Sequence, residues 1–223
     1  MNPELIFPEK IVQVSLARLD GLHLQTKATL QQLADDDLVS VFGGGVITKA
    51  LAQLTPTDFA DWTLADTLHH TGPEVYGLIT TLLILDAEVS SVIEGETRTF
   101  PLPGFLSYRP QLSPVKFPLN ILRLPPLNPD GHYIYTAQNK HHTAVRLDIH
   151  PKLNVAGHVR IAVSSATRPP QRLLAAEHRL DRQKLTELLI EAAIIAASDD
   201  LSPPLTDAEQ SNLVSALNAL RTE

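Results

Sequence analysis

Residues 61–75 read DWTLADTLHHTGPEV, a stretch that gathers two adjacent histidines, two aspartates and a glutamate. Residues of these types can ligate a metal or exchange protons. Neighbouring side chains, however, point to opposite faces of a strand and lie about 100° apart on a helix, so one ion rarely takes both His69 and His70. His141 and His142, in NKHHTA, meet the same geometry, and both pairs read as polar loops without metal. Phe42-Gly43-Gly44-Gly45 precedes a helical pattern, a place that suits phosphate. It lacks the Gly-Lys-Ser/Thr ending of a P-loop, with Thr48 and Lys49 in the reverse order, and reads as a flexible connector. Asp35–Asp37 and Asp199-Asp200 read as solvated acids at helix ends. There is no Gly-x-Ser-x-Gly elbow, and no carboxylate pair has a recognisable catalytic spacing. Residue pattern alone defines no active site.

The elements that must position these residues come from a chain of 223 residues, 43% hydrophobic, long enough to bury one large core or two smaller ones. Seventeen prolines against ten glycines favour defined turns over flexible linkers. A net charge of −7 and a pI near 5.7 argue against nucleic acid or an anionic membrane as partner. The absence of cysteine excludes disulfides, thiolate chemistry and cysteine-held clusters on this chain. MNPELIFPEK has acids and prolines where a signal peptide needs a basic stretch and an apolar run, so none is expected, and the apolar run LITTLLILDA is too short to span a bilayer. A soluble, cytoplasmic protein is expected.

Alternation predicts strands at Ile11–Ser15, His23–Ala28 and Asn120–Leu124, and a hairpin from Ala87–Ile93 and Thr97–Pro101 around EGE. Helical spacing covers Leu30 to Ala34, Val46–Leu54 and the apolar, buried Leu78–Leu85. LPPLNPDGH marks a domain boundary near Pro125–Gly131. Beyond it, Tyr133–Ala137, Val145–His150 and His158–Val163 read as an antiparallel sheet. Leu185–Ala197 follows as a helix with Leu185, Leu188, Leu189, Ala192 and Ile195 expected to face the core. Thr206–Leu220 is the last helix, opened by a capping box of Thr206 and Glu209.

Nearly the whole chain resembles the flavin-carrying medium subunit of the molybdenum hydroxylases, the relatives of carbon monoxide dehydrogenase and xanthine dehydrogenase. The resemblance rests on PEKIVQVSLARLDGL, ATLQQLADDDLV, LITTLLILDAEV, GETRTFPLPGFL, NILRLPPL and GHVRIAVSSATRPPQRLLAAEHRL. It implies an α+β fold: a partial FAD-binding (PCMH-type) domain over residues 1–125, then a small antiparallel sheet with helices on one face over 126–223. DWTLADTLHHTGPEV falls on the family's second flavin loop, so the resemblance assigns FAD contacts to Thr63, Leu64, Ala65 and Thr67, and an apolar flavin contact to Leu119. His69 and His70 then occupy the ordinary turn after that loop and need no metal.

The same resemblance exposes departures. The loop's paired glycines, which let the flavin diphosphate approach backbone N–H groups, are here Ala65 and Asp66; a carboxylate repels a diphosphate and the added Cβ atoms block its approach. An aspartate expected to serve the flavin has become Gly77, and a lysine early in the C-terminal part has become Tyr135. The family's first phosphate loop precedes the strand at which this sequence opens. The expectation is therefore weak or lost FAD binding, and an accessory, assembly or interaction relative that contacts molybdopterin and iron–sulfur subunits. The alternative is a working FAD subunit completed by a partner chain or a longer N-terminus. A third reading is a small-molecule binding module. No catalytic residue is expected on the chain itself. Lacking the first loop, the N-terminal half is expected to have an incomplete core, and the C-terminal half to be the self-sufficient unit.

Overall fold

The computed structural model describes residues 12–14, 21–54, 59, 61–199 and 201–221. Its first sheet follows from alternation in three short segments. Leu22 and Leu24 of β2 (Leu22–Gln25), Val89 of β3 (Glu88–Ile93) and Leu122 and Leu124 of β5 (Leu119–Leu124) turn inward and are buried. The intervening His23, Glu88 and Arg123 turn outward, where Arg123 pairs with Glu88 at 2.7 Å. With β1 (Val12–Val14) and β4 (Glu96–Pro101) the order is β1-β2-β5-β3-β4, antiparallel throughout. The expected hairpin is present: Glu94 and Gly95 both take positive φ, the conformation of a two-residue turn that matches strand twist. Ile11 and Ser15, the outer residues of the first expected strand, lie outside the described residues.

Beneath this sheet lie short helices: α1 (Leu30–Ala34), α2 (Asp37–Val41), α3 (Val46–Leu51), α4 (Leu64–His69), α5 (Tyr76–Ile84) and α6 (Leu102–Tyr108). Asp36 ends the expected aspartate run differently from a solvated acid, since its carboxylate caps α2 by accepting from the N–H groups of Leu38 and Val39. Gly43, Gly44 and Gly45 are not a flexible connector. All three hold left-handed φ, between 58° and 72°, and form a tight turn seated against Leu85 and Leu127, which residues with a Cβ would resist.

The second sheet is a meander, β6 (His132–Gln138), β7 (His141–Ile149), β8 (Ala156–Ser165) and β9 (Arg168–Arg172). His141 and His142 therefore begin a strand rather than sit in a loop, while Asn139 and Lys140 make the turn. β9, the sequence RPPQR, escaped alternation because two prolines occupy it; they are tolerated because β9 is an edge strand. Helices α7 (Leu174–Leu180), α8 (Glu187–Asp199) and α9 (Asp207–Leu220) cover one face. Thr206 and Glu209 form the expected capping box, and Glu209 also pairs with buried Arg168 at 2.9 Å.

α8 is rotated from the expected stripe. Leu185 is buried and Leu189 packs against the core as expected, but Ile190, Ala193, Ile194 and Ala197 are buried too, whereas Leu188 and Ile195 are 77% and 63% exposed. LLIEAAIIAA is apolar almost all round, so its period leaves the phase of the helix open.

Two main cores result, beside a small cluster of Val75, Tyr76 and Ile79. The first joins Leu22, Leu24, α1, α3, α4, α5 and the inner faces of β3 and β5, and extends to Tyr135, Ala144 and Ala162 of the second sheet, so it draws on both halves of the chain. The second lies between the outer helices and Val145, Leu147, Val159, Ile161 and Val163. α5 is buried over all nine residues because it is clasped between α3 and strands β7, β8 and β9. No helix among the described residues is long and apolar enough to cross a membrane.

Candidate cofactor site

Helices α1 and α4 begin side by side. Thr29 and Thr63, their N-cap residues, form an isolated antiparallel bridge, and the strands leading in exchange Leu30 N–H to Trp62 O at 2.8 Å and Leu64 N–H to Ala28 O at 2.9 Å. Two adjacent helix N-termini could offer a cluster of N–H donors to an anion. Here each end is closed by the chain itself. At α1, Gln32 N–H donates to Thr29 Oγ1 and Thr29 N–H to Gln32 Oε1. At α4, Asp66 N–H donates to Thr63 Oγ1 at 3.1 Å, and the Asp66 carboxylate accepts from both the N–H and the hydroxyl of Thr63, at 3.0 and 2.6 Å. Ala65 N–H donates to Thr26 O at 2.8 Å and Thr67 N–H to Thr63 O at 3.1 Å. Every backbone donor from Thr63 to Thr67 has an acceptor within the protein.

Of the residues singled out in the sequence, Thr63, Leu64, Ala65 and Thr67 thus share the first turn of α4, with Leu64 and Thr67 buried. Leu119 lies at the start of β5, 6% exposed and packed into the first core. Thr26 connects the two places. Its carbonyl accepts from Ala65, its hydroxyl donates to Leu119 O at 2.6 Å, and its N–H donates to Asn120 O. Sequence reasoning passed over Thr26, a fully buried threonine near a strand end whose role depends on pairing with a distant segment.

The next layer is the seam between α5 and the second sheet. Gly77 lies directly under Tyr135 and His142: a Cβ there would come within 2.5 Å of the Tyr135 hydroxyl and 3.0 Å of the His142 ring. The hydroxyl and His142 Nδ1 are 2.8 Å apart. Burial pushes the tyrosine pKa up, while burial and then His141 push that of His142 down. Tyr135 therefore keeps its proton, and it shares this hydrogen bond with neutral His142. Gly77 and Tyr135, two of the departures that the resemblance exposes, are in contact, glycine making the room that tyrosine fills. One turn along α5, Thr80 and Ser164 share a buried hydrogen bond of 2.7 Å.

At the far end of α5, Asp86 occupies the left-handed position that ends the helix, with φ of 51°. Asp86 N–H and Ala87 N–H bond back to Leu83 O and Leu82 O, a Schellman pattern in which glycine is usual. Aspartate tolerates the position better than most residues and contributes its charge. Its carboxylate meets Arg160 at 2.8 Å and both Arg146 and Arg172 at 3.3 Å. This is the aspartate of LLILDAEV, and it pins the first half of the chain to the second sheet.

His69 and His70 end α4 and join two aromatic runs. His70 packs edge-on against Trp62, which packs against Phe59, and lies 3.0 Å from Glu74. His69 packs on Phe105, which stacks on Phe117. Burial lowers the His69 pKa. No group of three or more potential metal ligands occurs among the described residues.

The two sheets and their helices give the chain a molybdenum hydroxylase flavoprotein-like fold. The similar solved structures include carbon monoxide dehydrogenase from Hydrogenophaga pseudoflava lacking the Mo-pyranopterin moiety of its cofactor, with 16% identity and a TM-score of 0.75 over 93% of this chain and 75% of that one. Reconstituted CO dehydrogenase from Oligotropha carboxidovorans gives 14% identity and 0.70 over 92% and 77%. Quinoline 2-oxidoreductase from Pseudomonas putida 86 gives 16% and 0.68 over 94% and 74%. No protein-family model matches the sequence, and no curated protein matches it.

Proposed function

We propose that this chain is a non-flavin relative of the flavin subunit of molybdenum hydroxylases, acting in assembly or interaction with molybdopterin and iron–sulfur subunits. We place its two units on either side of Pro125–Gly131. The observation that carries the reading is the closed first turn of α4. A diphosphate at this helix end would need N–H donors, and those from Thr63 to Thr67 already have acceptors, with the Asp66 carboxylate among them. Opening that turn would cost two capping interactions of about 1 kcal/mol each before any flavin contact formed. The packing of Tyr135 over Gly77 supports the same reading, since a tyrosine ring and hydroxyl take the space between α5 and the second sheet. These residues do not fit FAD, and no electron-transfer step is assigned to them.

Co-expression with a molybdopterin subunit and an iron–sulfur subunit of a molybdenum hydroxylase tests the reading. The expected product is a complex that contains this chain without flavin. A complex in which this chain carries one FAD would overturn it in favour of a working flavin subunit completed by a partner or by a longer N-terminus.

A further inference from the structure

A separate cleft of about 190 Å³ opens where β8 and β9 meet α7. Arg160 and Arg172 line it together with Glu177, His158, His178 and Asp181. Three guanidinium groups, those of Arg146, Arg160 and Arg172, surround two carboxylates. Asp86 accepts from all three arginines, while Glu177 accepts from Arg172 through two nitrogens and from Ile161 N–H. Asp181 lies 3.7 Å from Arg182, and Asp148 2.8 Å from His158.

Donors are left over. Arg146 is 8% exposed and its Nε has no acceptor. Arg160 spends Nε on Asp86 and Nη1 on Val159 O, which leaves Nη2 among the atoms without a hydrogen bond. A guanidinium fork fixed on one side by a carboxylate is a pre-ordered receptor for a second oxyanion on the other.

We propose that this cleft binds the phosphate or carboxylate group of a small molecule, with Arg160 as the direct contact and Arg172 and Arg146 supplying the field behind it. Its size sets the ligand class. Pockets for drug-sized ligands run from about 300 Å³ upward, so this cleft takes a single oxyanion group on a short skeleton and is too small for a dinucleotide. The cleft is lined by β8, β9 and α7 and by none of the flavin contacts that the resemblance implies, and the proposal does not depend on whether flavin binds.

Equilibrium dialysis of the whole protein against labelled inorganic phosphate and, separately, labelled succinate at constant chloride tests this directly. One equivalent of either ligand should bind saturably, and the better of the two identifies the group as phosphate or carboxylate. Arg160→Gln should weaken that binding by about tenfold or more, as expected for loss of a charge-assisted hydrogen bond. Arg160→Lys, which keeps the charge and loses the fork, should fall between. Arg98→Gln, on an exposed arginine of β4 in the first sheet, should bind as the parent does. Absence of saturable binding by the unmodified protein to both ligands overturns the proposal even if the variants fail to fold, and so does unchanged affinity in a folded Arg160→Gln.

Discussion

The second sheet has two faces built on different chemistry. Toward α7, α8 and α9 it presents Val145, Leu147, Val159, Ile161 and Val163, an aliphatic surface that any apolar helix of suitable width can cover. Toward α5 it presents Tyr135, Ala144 and Ala162 with His142, Ser164, Arg146 and Arg160, and each polar group there meets one particular residue of α5 or of the turn after it. The first face supplies the bulk of the apolar burial. The second fixes how α5 sits, at Gly77, Thr80 and Asp86. In the fold's flavin-carrying relatives, as the sequence resemblance implies, residues of this seam serve a cofactor; here they hold protein to protein.

If the faces differ in this way, substitutions should separate them. The largest effect is expected on the aliphatic face: Ile161→Ala, at a fully buried position, should cost about 4 kcal/mol in urea unfolding, within the range for such truncations. Asp86→Ala should cost about 3 kcal/mol, toward the low end for breaking a buried ion pair because the Asp86 side chain is 31% exposed. Its loss leaves three guanidinium groups facing one another, so added salt should recover part of that cost, and a salt-independent loss would count against the polar seam. Gly77→Ala should cost about 2 kcal/mol by overpacking against the Tyr135 hydroxyl. Most of that penalty should vanish in a Tyr135→Phe background; a penalty that persists would place the strain elsewhere. The smallest effect is at Ile195→Ala, expected within about 0.5 kcal/mol because that residue faces out from α8.

Legibility in the sequence followed the locality of each signal. The Thr206–Glu209 capping box, the Glu94-Gly95 hairpin and the first three strands of the meander were readable because each depends on residues within one turn or one strand. The phase of α8 was not, since alanines and isoleucines surround it, and β9 was hidden by its prolines. The sequence also marked Ala65, Asp66, Gly77 and Tyr135 as departures from a flavin loop. It could not show that Asp66 closes the helix end by capping Thr63, or that Gly77 and Tyr135 touch, because those facts depend on side-chain direction and on contact between distant segments. Thr26, the link between α4 and β5, carried no local pattern at all.

The central claim is that the first turn of α4 is saturated by its own residues, and the most direct test is titration of FAD into the purified protein, followed by quenching of flavin fluorescence. The expected result is no saturable quenching at micromolar protein, and elution from gel filtration free of flavin absorbance. Saturable, stoichiometric binding by the unmodified chain, weakened by Thr63→Val or Thr67→Val, would show that a diphosphate displaces the Asp66 cap and would contradict the account.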